Sequence, residues 1–274
     1  MKPYLALIVI DLKLAARQRT VIFFNYLFPF LIFFVFAELL GGRKTGNSMT
    51  YVLRLSISLG ILGSGLFGAG IRAIQEREMN ILRRYKVTPI TPVPLLAASI
   101  ITGWVIFMPY VVMVFSLAHY VYKMSWPAHM AGLFVFIAIG LAAFRAIGLV
   151  IASVANSMQE GTILVQLFYF PMLLLSGATV PVEALPRVVQ VISRFIPASY
   201  FVHGVNEMMM KGAGLAQNWQ DVAVLLTAFA VGMVVSAKMF RWEKEEKISR
   251  SSKLWIAAVL LPFVLLGCWQ LYHG

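Results

Sequence analysis

Carboxylates are what this chain has least of. Its 274 residues carry 11 Asp and Glu against 23 Lys and Arg, and charged residues together make up only 12%. A soluble domain usually carries about 25%, so the composition excludes an ordinary soluble fold. Acids within the apolar segments are nearly absent, Glu38 at the end of the first coming closest. That argues against a proton- or sodium-coupled pump built on buried carboxylates. The single cysteine, Cys268, sits in an apolar run and leaves no disulfide framework and no thiolate metal cluster. Four histidines (His119, His129, His203 and His273) are scattered, and His203 has no second His or Cys beside it, as a metal site requires. H-E-x-x-H, G-x-S-x-G and Walker A are all missing. The glycines at 65–70 lie in an apolar segment without the Lys-Ser/Thr ending of a phosphate loop. No catalytic residue, metal or cofactor is therefore expected in this chain.

What is present is apolar. Sixty per cent of the residues are hydrophobic, at a mean hydropathy of +0.83, which predicts an all-α integral membrane protein. Apolar runs at 21–40, 51–73, 95–121, 129–153, 162–180 and 220–240 read as six spans, with a further one at 254–272. Each is long enough for a hydrocarbon core of about 30 Å. The run 21–40 exceeds a signal-peptide core and lacks an A-x-A site, so it reads as a span that stays. Pro29 is placed to kink it. The second run is rich in glycine, alanine and serine, which predicts close packing against other helices. Arg145 inside the fourth must face protein or a water-filled cavity, or snorkel to the surface, in a functional or a structural role.

Residues 1–20 are amphipathic, Leu5, Ile8, Val9, Leu12 and Ala16 sharing one helical side. They read as an interfacial helix or as a plain juxtamembrane tail. The net charge of +12 suggests no nucleic-acid partner, because the bases cluster between spans. With the N-terminus inside, 15 Lys and Arg fall in the tail, the 72–86 interval and 238–253, against seven outside. The positive-inside rule then places the N-terminus in the cytoplasm. A crossing seventh span would put the C-terminus outside.

The 72–97 interval is the longest polar one between spans. A helix at 75–86 would bring Ile81, Leu82 and Tyr85 to the side of Ile74, with Glu76 and Glu78 early and Arg83, Arg84 and Lys86 late. Pro89 stops it, and Thr91-Pro92 reads as N-cap and first residue of the next helix. A solvated positive-inside loop is the alternative from periodicity alone. Between the fifth and sixth spans, Pro181, Pro186 and Pro197 punctuate apolar stretches too short to cross. These read as a re-entrant or external helical pair at about 181–211.

Two of these stretches carry a family resemblance. EREMNILRRYKVTPITPVPLL resembles the cytoplasmic segment of ABC-2 type transporter permeases, and LLSGATVPVEALPRVVQVISRFIPASYFVHGV resembles that family's segment after the fifth span. The likeness covers about residues 1–240. It implies a six-span ABC-2 exporter-type core at 21–240, preceded by an interfacial helix at 1–20. A cytoplasmic linker at 241–253 and an extra transmembrane helix at 254–272 follow, and the latter departs from the family pattern. It implies that 75–86 is a coupling helix touching a separate ABC ATP-binding subunit through Glu76, Glu78, Arg83, Arg84 and Tyr85. Pro89 and Pro92 would form the stiff joint behind it, and ATP and Mg would be held by that partner. A second permease subunit, identical or not, would complete the path through the plasma membrane. Alternatives are an anchor or sensor subunit that transports nothing and a lipid-modifying membrane enzyme. The Phe-rich first span suits an amphiphilic cargo and equally suits acyl chains.

Overall fold

The computed structural model describes residues 2–41, 46–86, 90–246 and Val264, and every regular element among them is helical. Apart from Val264, the expected span at 254–272 lies outside the described residues, as do the linker beyond 246 and Pro89.

Helix α1 (Lys2–Arg17) lies along α5 (Pro92–Tyr120). Helix α2 covers 19–41 and opens into a π-helical turn at Phe23–Leu27. Pro29 accounts for that turn: it has no N–H for the carbonyl of Asn25 and its ring crowds that oxygen, so the ladder widens. Helix α3 runs from Gly46 to Glu78 with a π-helical centre at Gly63–Ile71, where four glycines weaken the α-helical preference. Then come α4 (Ile81–Lys86), α5, α6 (Met130–Val154) and α7 (Met158–Leu175). A 3₁₀ turn at Val182–Ala184, α8 (Arg187–Ser193), α9 (Pro197–Met210) and α10 (Trp219–Lys238) complete the described fold.

Among the described residues, five helices are long and apolar enough to cross a membrane: Ser48–Glu78, Pro92–Tyr120, Met130–Val154, Met158–Leu175 and Trp219–Lys238. The expected first span contributes a shorter apolar helix, Asn25–Leu40. The fifth stops earlier than its apolar run suggests, because Gly177 takes φ +87 and turns the chain.

Helix α6 is the centre, with α3 packed on one side and α10 on another. Glycines set the α3–α6 spacing. A Cβ on Gly148 would stand 2.2 Å from the Gly65 carbonyl oxygen, so only hydrogen allows this backbone approach. The close packing expected of the second run is thus realised against α6. Phe201 of α9 stacks on Phe136 of α6 at 5.7 Å and meets Phe144 edge-on. Each of Pro181, Pro186 and Pro197 opens a short helix, the last at the first helical position of α9. Helix α9 buries Phe201, Val202 and Val205, whereas α8 turns Val188 and Ile192 away from the bundle.

Candidate functional site

The charged end of the bundle follows from helix length. Ser48–Glu78 has 31 residues, a rise of about 46 Å, which exceeds an apolar core of about 30 Å. A helix of this length has turns to spare beyond such a core, and its last turns are the charged ones, carrying Arg72, Glu76, Arg77 and Glu78.

All four are used within the chain. Arg72 pairs with Asp11 of α1 and, at 2.9 Å, with Glu76 one turn on. Arg77, 3% exposed, donates to the Ala152 carbonyl at 2.9 Å and to that of Ala155 at the end of α6. Glu78 accepts from the Met158 N–H at 2.8 Å, a carboxylate at the positive end of α7. From beyond α10, Arg241 donates to the same Ala155 carbonyl and to Asn156 Oδ1 at 3.0 Å. Ser157 caps α7 by accepting from the Glu160 N–H at 3.1 Å, while Glu160 accepts from the Asn156 N–H at 2.9 Å. The end of α3, the α6–α7 turn and the segment after α10 are thereby tied into one plate.

The single helix expected at 75–86 is two. Helix α3 ends at Glu78, and Asn80 takes φ +57 before α4 begins. Asparagine tolerates this left-handed conformation and closes helices much as glycine does. The break sorts the five expected contact residues. Glu78 points into the plate, Glu76 pairs with Arg72 beside α1, and Tyr85 is half-buried. Ile81, Leu82 and Tyr85 share one side, as their spacing predicts. They line a recess of about 60 Å³ with Asp11, Arg72 and Glu76. Burial, and then the Glu76 and Asp11 charges, push the Tyr85 phenol above its ordinary range. Arg83 and Arg84 point outward, Arg83 being 64% exposed with Glu243 at 3.9 Å. Pro92 is the first residue of α5, and Thr91 has extended geometry at its N-cap but makes no side-chain cap bond.

Asp11, Arg77, Asn156, Glu160 and Arg241 are missing from the expected site. Only Ser157-x-x-Glu160, a capping-box spacing, was visible in the sequence.

Deeper in the bundle, Arg145 is 3% exposed and faces protein. Its guanidinium donates to the Ser64 carbonyl (3.1 Å) and hydroxyl (3.3 Å) of α3. It also reaches the Ser99 carbonyl (2.7 Å) and hydroxyl (3.1 Å) of α5. A planar fork suits this bridging of three helices, as a lysine would not. Gly103 makes room, since a Cβ there would lie 2.2 Å from Arg145 Cζ. The structural pairing foreseen for Arg145 is thus formed through carbonyls and hydroxyls. Among the described residues no group of three His, Cys, Asp or Glu side chains could hold a metal ion.

The sequence pattern of the ABC-2 type transporter family matches residues 3–210. The inner membrane transport permease YhhJ of Escherichia coli (strain K12) is 29% identical over 177 residues, which is 63% of this chain and 46% of that protein. The probable multidrug ABC transporter permease YbhR of the same organism is 25% identical over 167 residues, 61% of this chain and 45% of YbhR. The putative transport permease YvfS of Bacillus subtilis (strain 168) is 20% identical over 243 residues, 86% of this chain and 96% of YvfS. The alignments with YhhJ and YbhR span about half the length of each.

Proposed function

The chain belongs to the ABC-2 type transporter family, and from this we propose that it is the membrane-spanning permease subunit of an ATP-driven exporter. The carrying observation is the geometry of α4. A short helix with Arg83 and Arg84 exposed hangs by the Asn80 turn from a plate that joins the ends of α3, α6 and α7. A separate ATP-binding subunit seated on α4 would push on all of these helices together. Within the plate, Glu76 and Glu78 set the position of α4, Tyr85 holds it against α1, and Arg83 and Arg84 meet the partner. ATP and Mg²⁺ are held by that partner, and a second permease subunit, of the same or another sequence, encloses the path with this one. The positive-inside bias supports a cytoplasmic plate and N-terminus, and a crossing at 254–272 would leave the C-terminus outside. The apolar, phenylalanine-rich first helix and the multidrug description of YbhR support an amphiphilic cargo, such as a drug or lipid-like compound.

The test is extraction of the tagged protein in gentle detergent and mass spectrometry of what co-purifies. A stoichiometric protein with a Walker A motif is expected, with substrate-stimulated ATPase activity abolished by Arg83→Glu plus Arg84→Glu. Both side chains are exposed, so the double reversal should leave insertion and thermal midpoint intact, a shift within about 0.5 kcal/mol. Stimulated ATPase activity that survives the reversal refutes the assignment. A complex that moves no cargo in vesicles would instead be an anchor or sensor.

A further inference from the structure

At the end of the bundle opposite α4, a cavity of about 660 Å³ opens between α3, the 3₁₀ turn, α9 and the start of α10. Small-molecule sites typically occupy about 300–1,000 Å³. Ordinary ligand sites are mostly apolar, but this one is rich in side-chain amides and hydroxyls, including Ser199, Asn206, Asn218 and Gln220. A hydrophobic compound would strip water from these groups and return no hydrogen bonds. The lining chemistry therefore selects a hydrophilic ligand.

The sign of its charge follows from Arg54. This side chain is 9% exposed, and Tyr51 lies against it with 5.3 Å from ring centre to guanidinium. Its Nη1 donates to Asn206 Oδ1 at 2.9 Å, while its Nε is buried without a partner. Glu183 also lines the cavity, but no carboxylate of the described residues forms an ion pair with Arg54. Asp221, across the cavity, is engaged by His203 Nδ1 at 2.9 Å. Ser199 also lines this space, and its Oγ is likewise buried without a partner. Glu183 is near enough to act on Arg54 but does not pair with it. A buried guanidinium without a direct ion pair is costly, whereas an oxyanion can satisfy its fork with two parallel bonds.

We propose that this cavity binds a hydroxyl-rich oxyanion, a phosphate or carboxylate on a polyol, with its anionic group on Arg54 and Ser199. The polyol hydroxyls reach Asn218, Gln220 and the Glu183 rim. Such chemistry comes free in solution or as the headgroup of a lipid, and two probes separate these sources. The site is independent of how the charged end is driven.

Isothermal titration calorimetry of the purified full chain in neutral detergent tests it, with glycerol 3-phosphate as the free probe and dihexanoyl phosphatidylglycerol as the lipid probe. Choline chloride is the cationic control. At least one of the two anions should bind while choline does not, and Arg54→Met should weaken binding roughly tenfold or more. Gln220 is exposed at the cavity wall, so Gln220→Trp narrows the cavity without disturbing the packed core and should also weaken binding. It decides the matter if Arg54→Met fails to fold. Binding of the lipid probe alone assigns a headgroup, and binding of glycerol 3-phosphate assigns a soluble ligand. No heat from either anion at millimolar concentration overturns the proposal. So does binding that Gln220→Trp leaves unchanged.

Discussion

Arg77 and Arg241 donate to one acceptor, the carbonyl oxygen of Ala155. They come from the end of α3 and from beyond α10, and both are buried. Two like charges tolerate this proximity because Glu78, Glu160 and Glu246 lie around them. The plate is therefore held by charge-assisted bonds to the backbone, and its position does not depend on side-chain packing alone.

These two arginines should be energetically coupled. Arg77→Gln and Arg241→Gln should each cost about 1.5–3 kcal/mol, the range for hydrogen bonds made by charged groups. Removing one relieves repulsion on the other, so the double variant should cost less than the two losses added, by about 0.5 kcal/mol or more. Thermal midpoints of all four proteins in one detergent check this. Strict additivity would mean that the shared carbonyl couples nothing.

Two glycines beside Arg145 should respond in opposite ways. In Gly103→Ala the new methyl would stand 2.2 Å from Arg145 Cζ, displacing the guanidinium from Ser99. Overpacking of this kind costs about 1–3 kcal/mol. In Gly68→Ala the nearest atom is Arg145 Nη1 at 3.6 Å, and alanine in a helix gains about 0.5–1 kcal/mol over glycine. A lower midpoint for the first and an equal or higher one for the second are expected. Equal effects would show that Arg145 is not wedged as described.

His203 should make stability depend on pH. Its ring bonds Asp221 at 2.9 Å, with Glu207 at 3.8 Å and Lys211 nearby. The bond to Asp221 raises its pKa above the ordinary 6.5, against an opposing effect of burial. A raised folded value means that the stabilisation is complete below about pH 6.5 and is lost as pH climbs through the folded value. The midpoint difference between wild type and His203→Gln should thus be largest in mild acid and shrink toward alkaline pH. A difference that grows with pH would reverse the assignment.

Most helices were legible because apolar run length is a local property. Pro92, Pro181, Pro186 and Pro197 mark helix starts since a fixed φ acts wherever the residue stands. The errors also have local causes. Ala178 and Val180 prolong the apolar pattern past Gly177, so hydropathy runs over the turn that this glycine makes. Asn80 carries no stop signal of its own, because asparagine occurs within helices as well as after them. The plate was invisible for a different reason: its central acceptor is a backbone carbonyl, and any residue at position 155 would supply one.

By itself the sequence determined the helical class, the approximate positions of the apolar segments, the family and the charge of the projecting end. These rest on composition, spacing and local backbone chemistry. Tertiary structure decided which charges remain available. Glu76 and Glu78 are consumed by Arg72 and by the start of α7, whereas Arg83 and Arg84 stay exposed. It also decided that Arg145 is held by serines from two other helices and that Arg54 is left facing a cavity with a bond to spare. Charge belongs to a residue, but apart from the one-turn pair of Glu76 with Arg72 its compensation depends on partners 46 to 152 positions away, which only folding brings within hydrogen-bonding distance.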